Sequence, residues 1–110
     1  MRIEIHYTKF QTAPNISEYA KKRIGALKKF LKRFEKNTEV VVFVELARTT
    51  QHHRKGDVFY AEATLKIPGK PMRATSTGPD IRLAIDEVKE KLEKELRRDK
   101  DKELAKRRHE

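Results

Sequence analysis

Cysteine is absent from this 110-residue chain. That excludes disulfide staples, thiolate metal sites and a thiol nucleophile, and nothing then argues for secretion. No run approaches the roughly 18 apolar residues that span a bilayer, and residues 1–7 alternate in polarity where a signal peptide would need an apolar core. The expected location is cytoplasmic. Glycine is scarce as well: Gly25, Gly56, Gly69 and Gly78 stand alone, so there is no glycine-rich phosphate loop. Acid is in deficit, with 17 Asp and Glu against 27 Lys and Arg and a formal charge of +10. A positive excess of this size favours polyanions such as nucleic acid or an anionic membrane. A chain this long buries only about 60–70% of the surface exposed by its unfolded form, enough for one small core. A multidomain enzyme is excluded. The chain is 36% hydrophobic and 40% charged, but its apolar residues fall in periodic clusters, as in a folded domain.

Those clusters give the element order. Residues 1–7 alternate, with Ile3, Ile5 and Tyr7 on one face, as in a half-buried strand. Thr12 is placed to cap a helix with Pro14 in its first turn, and Ile16, Tyr19, Ala20, Ile24, Leu27, Phe30, Leu31 and Phe34 recur at helical spacing to about Arg33. Gly25 inside that helix suggests a close approach to the sheet or to a second helix. Residues 40–46 are β-branched and read as a central strand. Residues 49–56 read as a hairpin loop, and in residues 58–67 Phe59, Ala61, Ala63 and Leu65 share a face. Pro68-Gly69-Lys70-Pro71 is a turn by its chemistry, and Met72, Ala74 and Ser76 then alternate as a weaker edge strand. Pro79 and Asp80 open a last helix whose stripe is Ile81, Ala84, Ile85, Val88, Leu92 and Leu96, ending near Arg98. Residues 99–110 either prolong it or fray as a charged tail. The expectation is an α+β fold of order β-α-β-β-β-α, a two-layer sandwich with a mostly antiparallel four-stranded sheet and two helices on one face.

The charge is unevenly distributed. Residues 17–36 hold eight bases, Lys21, Lys22, Arg23, Lys28, Lys29, Lys32, Arg33 and Lys36, against only Glu18 and Glu35. In the last helix, Glu87–Lys91, Glu90–Lys94 and Glu93–Arg97 have the favourable i,i+4 order, so its charges have a structural reading. Lys91, Lys94 and Arg98 nevertheless line one face, and two helices side by side could join that line to the first-helix ridge as a phosphate-binding surface. No catalytic group stands out. His52-His53 sits beside Arg54 and Lys55, whose charges disfavour a bound cation, while Asp57, Asp80 and Asp86 have ready places in a turn, a helix first turn and an exposed helix face. Neither an enzyme, a cofactor, a metal nor a small-molecule substrate is expected. A membrane-surface helix would need free bulky apolar residues, whereas those of the first helix are needed in the core. Phe43 and Tyr60 fall on the outer sheet face, where cross-strand packing competes with base stacking as their role.

Three stretches carry a resemblance: Pro14-Asn15-Ile16 opening a helix that reads Arg23-Ile24-Gly25-Ala26-Leu27-Lys28-Lys29-Phe30; Gly78-Pro79-Asp80-Ile81-Arg82-Leu83-Ala84-Ile85-Asp86; and Lys91-Leu92-Glu93-Lys94-Glu95-Leu96-Arg97-Arg98. Over roughly residues 1–100 the chain resembles the ribosome hibernation promoting factors and ribosome-associated translation inhibitors, also called sigma-54 modulation proteins. The resemblance implies a fold like that of double-stranded-RNA-binding domains, with residues 1–98 as a single ribosome-binding domain. It also implies docking on the small (30S) subunit and the 70S ribosome at the decoding region. There the domain would contact 16S-type rRNA and occlude mRNA and the A- and P-site tRNAs, inhibiting translation and preserving idle ribosomes under stress. The family's basic contacts fall on Arg23, Lys29, Lys91, Lys94 and Arg98, with Lys22, Lys28, Lys32, Arg33 and Arg82 as neighbouring bases. Ala26, Arg82 and Glu95 depart from the usual family residues. The resemblance further implies a short form without the dimerisation domain of long members, monomeric when free. A generic double-stranded-RNA reader would use the same basic ridge and is the alternative.

Overall fold

Alternating side chains decide which face of the sheet is buried. The computed structural model describes residues 1–36, 38–49 and 58–108. In chain order they form β1 (Arg2–Thr8), α1 (Pro14–Gly25), α2 (Lys28–Leu31), β2 (Val41–Arg48), β3 (Phe59–Lys66), β4 (Met72–Gly78) and α3 (Ile81–Arg108). The sheet order is β1-β2-β3-β4, with β1 parallel to β2 and the other two pairings antiparallel. The register aligns three rows across it: Ile3, Val42, Leu65, Met72; Ile5, Val44, Ala63, Ala74; and Tyr7, Leu46, Ala61, Ser76. These rows meet Ala20, Ile24, Leu27 and Leu31 and the α3 stripe of Ile81, Ala84, Ile85, Val88, Leu92 and Leu96 in one core. The small residues Ala61, Ala63, Ala74 and Ser76 leave room for α3 to lie close over β3 and β4. The α+β architecture follows the sequence expectation, including the central β2 and the edge strand β4. Phe43, 36% exposed, and Tyr60 lie on the opposite, outer face, where the Lys66 ammonium sits 5.9 Å from the Phe43 ring. The loop expected over residues 49–56 falls almost wholly on residues 50–57, outside the described ones; Thr49 N–H donates to the Val58 carbonyl at 2.6 Å where the strands meet it.

The first helix differs from its sequence reading in three respects. Thr12 does not cap it: Ala13 holds the cap position with no side-chain bond, Pro14 stands at the start, and the Tyr7 hydroxyl ties β1 to this end by donating to the Ala13 carbonyl at 3.0 Å. The helix does not run unbroken to Arg33. After Gly25 the backbone tightens, Ala26 and Leu27 donating three residues back to Arg23 and Ile24, before α2 resumes at Lys28. Gly25 makes no close approach, since a Cβ there would meet nothing within 4 Å. Its effect is the low helix propensity of glycine, which permits the change of winding.

The last helix differs at both ends. Pro79 precedes the cap instead of entering the first turn, and Asp80 takes the cap, its carboxylate accepting the Arg82 N–H at 2.9 Å. The helix passes the expected end near Arg98 and continues to Arg108, 28 residues and about 42 Å at 1.5 Å per residue. It dominates the 53 Å long axis. Its outer turns have little apolar support, and the sheet supplies a polar substitute. Pro68-Gly69 makes a type II turn, with Gly69 at φ 77 and Lys70 N–H donating to the Ile67 carbonyl at 2.9 Å. That turn sets Lys70 Nζ 3.1 Å from both Asp99 and Glu103, while Arg33 from the other side reaches Asp99 at 2.7 Å.

Candidate nucleic-acid interface

The α1–α2 layer presents most of the bases read from the sequence. Lys22, Lys28, Lys29 and Lys32 are exposed, and among the described residues none has an ion pair; Lys29 lies 5.3 Å from the Phe30 ring. Their apolar neighbours Ile24, Leu27 and Leu31 anchor this layer in the core, so the lysines project from a fixed scaffold.

Arg23, Arg33 and Arg82 occupy the seam between this layer and α3. Arg23 Nε donates to Asp86 Oδ1 at 2.9 Å, and Tyr19 donates to the same oxygen at 2.6 Å. Asp86 is therefore half-buried and paired, not on an exposed helix face. That bond to the Asp86 carboxylate, aided by burial, raises the Tyr19 hydroxyl above its ordinary pKa. The Arg82 guanidinium lies 5.4 Å from the Tyr19 ring. Arg33 pairs with Asp99 and covers the Phe34 ring at 4.5 Å. Arg97 lies 5.1 Å from the Phe30 ring.

Lys91, Lys94 and Arg98 occupy the opposite flank of α3, beside β4. Lys91 Nζ donates to the Thr75 carbonyl at 2.7 Å, covering an outward group of the edge strand. Glu87 instead bonds the buried Ser76, and of the three expected i,i+4 pairs only Glu93–Arg97 closes among the described residues, at 3.2 Å. Lys94 and Arg98 are exposed without an ion pair among the described residues. The two basic lines thus flank an ion-paired seam and do not merge into one ridge along it.

Sequence reasoning missed the network of Lys70, Asp99 and Glu103. The turn chemistry places Lys70, but its partners lie 29 and 33 residues away. Hydrogen bonding to Lys70 lowers the Glu103 carboxyl, that to Lys89 lowers Glu93, and the acids raise Lys70 in turn. A depressed carboxyl contributes stability above its unfolded pKa, near 4.3, and loses it as pH falls through the lower folded value. The raised ammonium contributes below about 10.4 and loses its share only as pH rises above that. The expected outcome is that the outer turns of α3 stay docked at neutral pH and loosen below about pH 4. Amide hydrogen exchange and backbone chemical shifts of residues 99–108 at pH 3 and pH 6 check this; identical protection at both values would refute it.

Among the described residues, no group of three or more His, Asp or Glu could hold a metal ion, and no helix is long and apolar enough to cross a membrane. His52-His53 lies outside the described residues.

Comparison with known proteins extends this geometry. The Thermus thermophilus Protein Y N-terminal domain is similar in structure, with a TM-score of 0.69 and 21% identity over 89% of this chain and 98% of that one. A ribosomal subunit interface protein from Coxiella burnetii gives a TM-score of 0.67 and 18% identity over 92% of this chain and 99% of that one. At these identities the likeness establishes the fold. No curated protein matches the chain in sequence. The family model described as Sigma 54 modulation protein / S30EA ribosomal protein matches residues 3–103. Because that match takes in α1, α2, all but the last five residues of α3 and nearly all of the sheet, the chain belongs to the Sigma 54 modulation protein / S30EA ribosomal protein family.

Proposed function

We propose that this protein binds the small ribosomal subunit at the decoding region, where its helical layer contacts 16S-type rRNA and its body blocks mRNA and the A- and P-site tRNAs. Translation is then inhibited by occlusion in the cytoplasm, and idle ribosomes are preserved under stress. The observation that carries this reading is the set of exposed lysines, without an ion pair among the described residues, on a core-anchored α1–α2 scaffold in a ribosome-associated family. Lys22, Lys28, Lys29, Lys32, Lys94 and Arg98 supply phosphate contacts, and Lys91 shares its ammonium between Thr75 and RNA. Arg23 engages Asp86 through Nε, so the rest of its five-donor fork remains for a phosphate oxygen. Arg82 and Arg33 add charge at the two ends of the seam. Phosphate contacts position the domain with little base readout, and neither cofactor nor bond chemistry is required.

Co-sedimentation of the monomeric protein with 30S subunits and 70S ribosomes, at two salt concentrations and with a long RNA duplex as competitor, tests the reading. Saturable one-to-one binding that survives the duplex and releases tRNA is the expected result. Equal binding to any duplex would replace it with a generic double-stranded-RNA module.

A further inference from the structure

The outer turns of α3 and the turn that follows α2 border a surface notch of about 230 Å³, lined by Arg33, Lys36, Lys100, Glu103, Leu104 and Arg107. Four bases face one acid. That acid is already engaged, because Glu103 bonds Lys70, as does Asp99 behind it. Lys36, Lys100 and Arg107 have no ion pair among the described residues. Arg33 is held by Asp99 through Nη2, yet its Nε–H is buried without an acceptor among the described residues. A buried donor without an acceptor is costly, and a slight turn of the guanidinium toward an anion in the notch would supply one.

We infer that this notch is a further phosphate-binding site whose ligand is the RNA backbone, extending the contact surface beyond the body along α3; this rests on the RNA-binding reading above. The geometry favours a phosphate over a carboxylate partner. Phosphate presents several oxygens to a planar fork and to separate ammonium groups at once, and Arg33 and Arg107 supply forks on opposite walls. It favours a polymer over a free anion because the notch is open and continues into exposed bases on both helices, where a strand makes successive contacts.

The test uses the full chain and two probes, inorganic phosphate and a short RNA hairpin, followed through the Arg33 and Arg107 Nε–H signals by NMR. The Lys36→Gln/Lys100→Gln/Arg107→Gln variant is compared with Lys36→Gln alone, which leaves α3 untouched. With the hairpin, the Arg33 signal is expected to move saturably. In the triple variant that movement is lost and the log–log salt slope of hairpin affinity shrinks by about 0.7–0.9 for each phosphate released, with a smaller change in the single variant. An unmoved Arg33 signal, or a triple variant with the parent's slope, would overturn the site. A response to inorganic phosphate but not to the hairpin would overturn the RNA assignment in favour of a small-anion pocket. Loss of 30S binding by the parent protein would defeat the ribosomal reading and leave the hairpin result to decide this one.

Discussion

The combined variant Lys28→Glu/Lys32→Glu/Lys94→Glu/Arg98→Glu is expected to bind 30S subunits roughly a thousandfold more weakly than the parent at about 0.1 M salt. The size follows from counterion release. Each phosphate contact contributes a slope of about 0.7–0.9 in log affinity per log salt, so four lost contacts flatten the dependence by about 3. These four bases are chosen because they are exposed and have no ion pair among the described residues. Their reversal leaves Arg23–Asp86 and Arg33–Asp99 in place; it relieves like-charge repulsion in the α1–α2 layer but sets acids at positions 94 and 98 one turn apart, the first of them one turn from Glu90, so the thermal midpoint should change little. Each reversal removes two units, taking the formal charge from +10 to +2. A control separates site from net charge: Arg2→Glu/Lys66→Glu on the exposed outer sheet face should change the slope little. If both variants lost affinity in proportion to charge alone, the helical layer would not be the binding surface.

Much of the fold was legible because burial leaves a period in the sequence. Ile3, Ala63 and Met72 take one face of their strands by alternation, the β-branched run around Val42 marks a strand without marking its face, and Ile81, Ala84, Ile85, Val88, Leu92 and Leu96 announce α3 by helical spacing. The features that escaped depend on partners distant in sequence. Nothing local marks Lys91 as bound to Thr75 instead of Glu87, because an i,i+4 acid is available in the sequence and an edge-strand carbonyl is not visible there. The tightening after Gly25 likewise passed unseen, since Leu27 and Leu31 keep their core positions across it.

The candidate site was legible as composition more than as geometry. The lysine-rich stretch of the first helix and the spacing of Lys91, Lys94 and Arg98 name the bases. Which of them are engaged in the fold depends on Asp86 and Asp99, whose carboxylates take Arg23 and Arg33 into the seam. The Ala84-Ile85-Asp86 motif acquires a physical meaning from this: two buried apolar residues seat α3, and the acid beside them fixes α1 against it. The persistence of α3 to Arg108 is the same lesson in reverse, because residues 99–108 look like a solvated tail until Lys70 and Arg33 are placed next to them.

That contrast makes the second large effect separable along a single helix. Leu92→Ala is expected to destabilise the fold by about 2–5 kcal/mol, the range for truncating a buried leucine. Leu92 is 0% exposed in the middle of the α3 stripe. Truncation removes its methyl groups from the core and leaves a cavity that the close-packed sheet cannot fill. At about 4–8 °C per kcal/mol for a domain of this size, the thermal midpoint falls by at least about 8 °C and, at the upper end, far enough to unfold the chain at 37 °C. Leu104→Ala, three turns further on, should cost less than about 0.5 kcal/mol. Leu104 is 42% exposed and lies where α3 is held by charge pairs. Urea or thermal unfolding of both variants beside the parent reads the difference directly. Equal losses would mean that the outer turns share the hydrophobic core, contradicting the charge-based docking on which the acid-sensitive release of residues 99–108 depends. A large loss at Leu92 with none at Leu104 leaves the body as the cooperative unit and the outer turns as an appendage whose docking responds to pH and whose bases remain available to an anion.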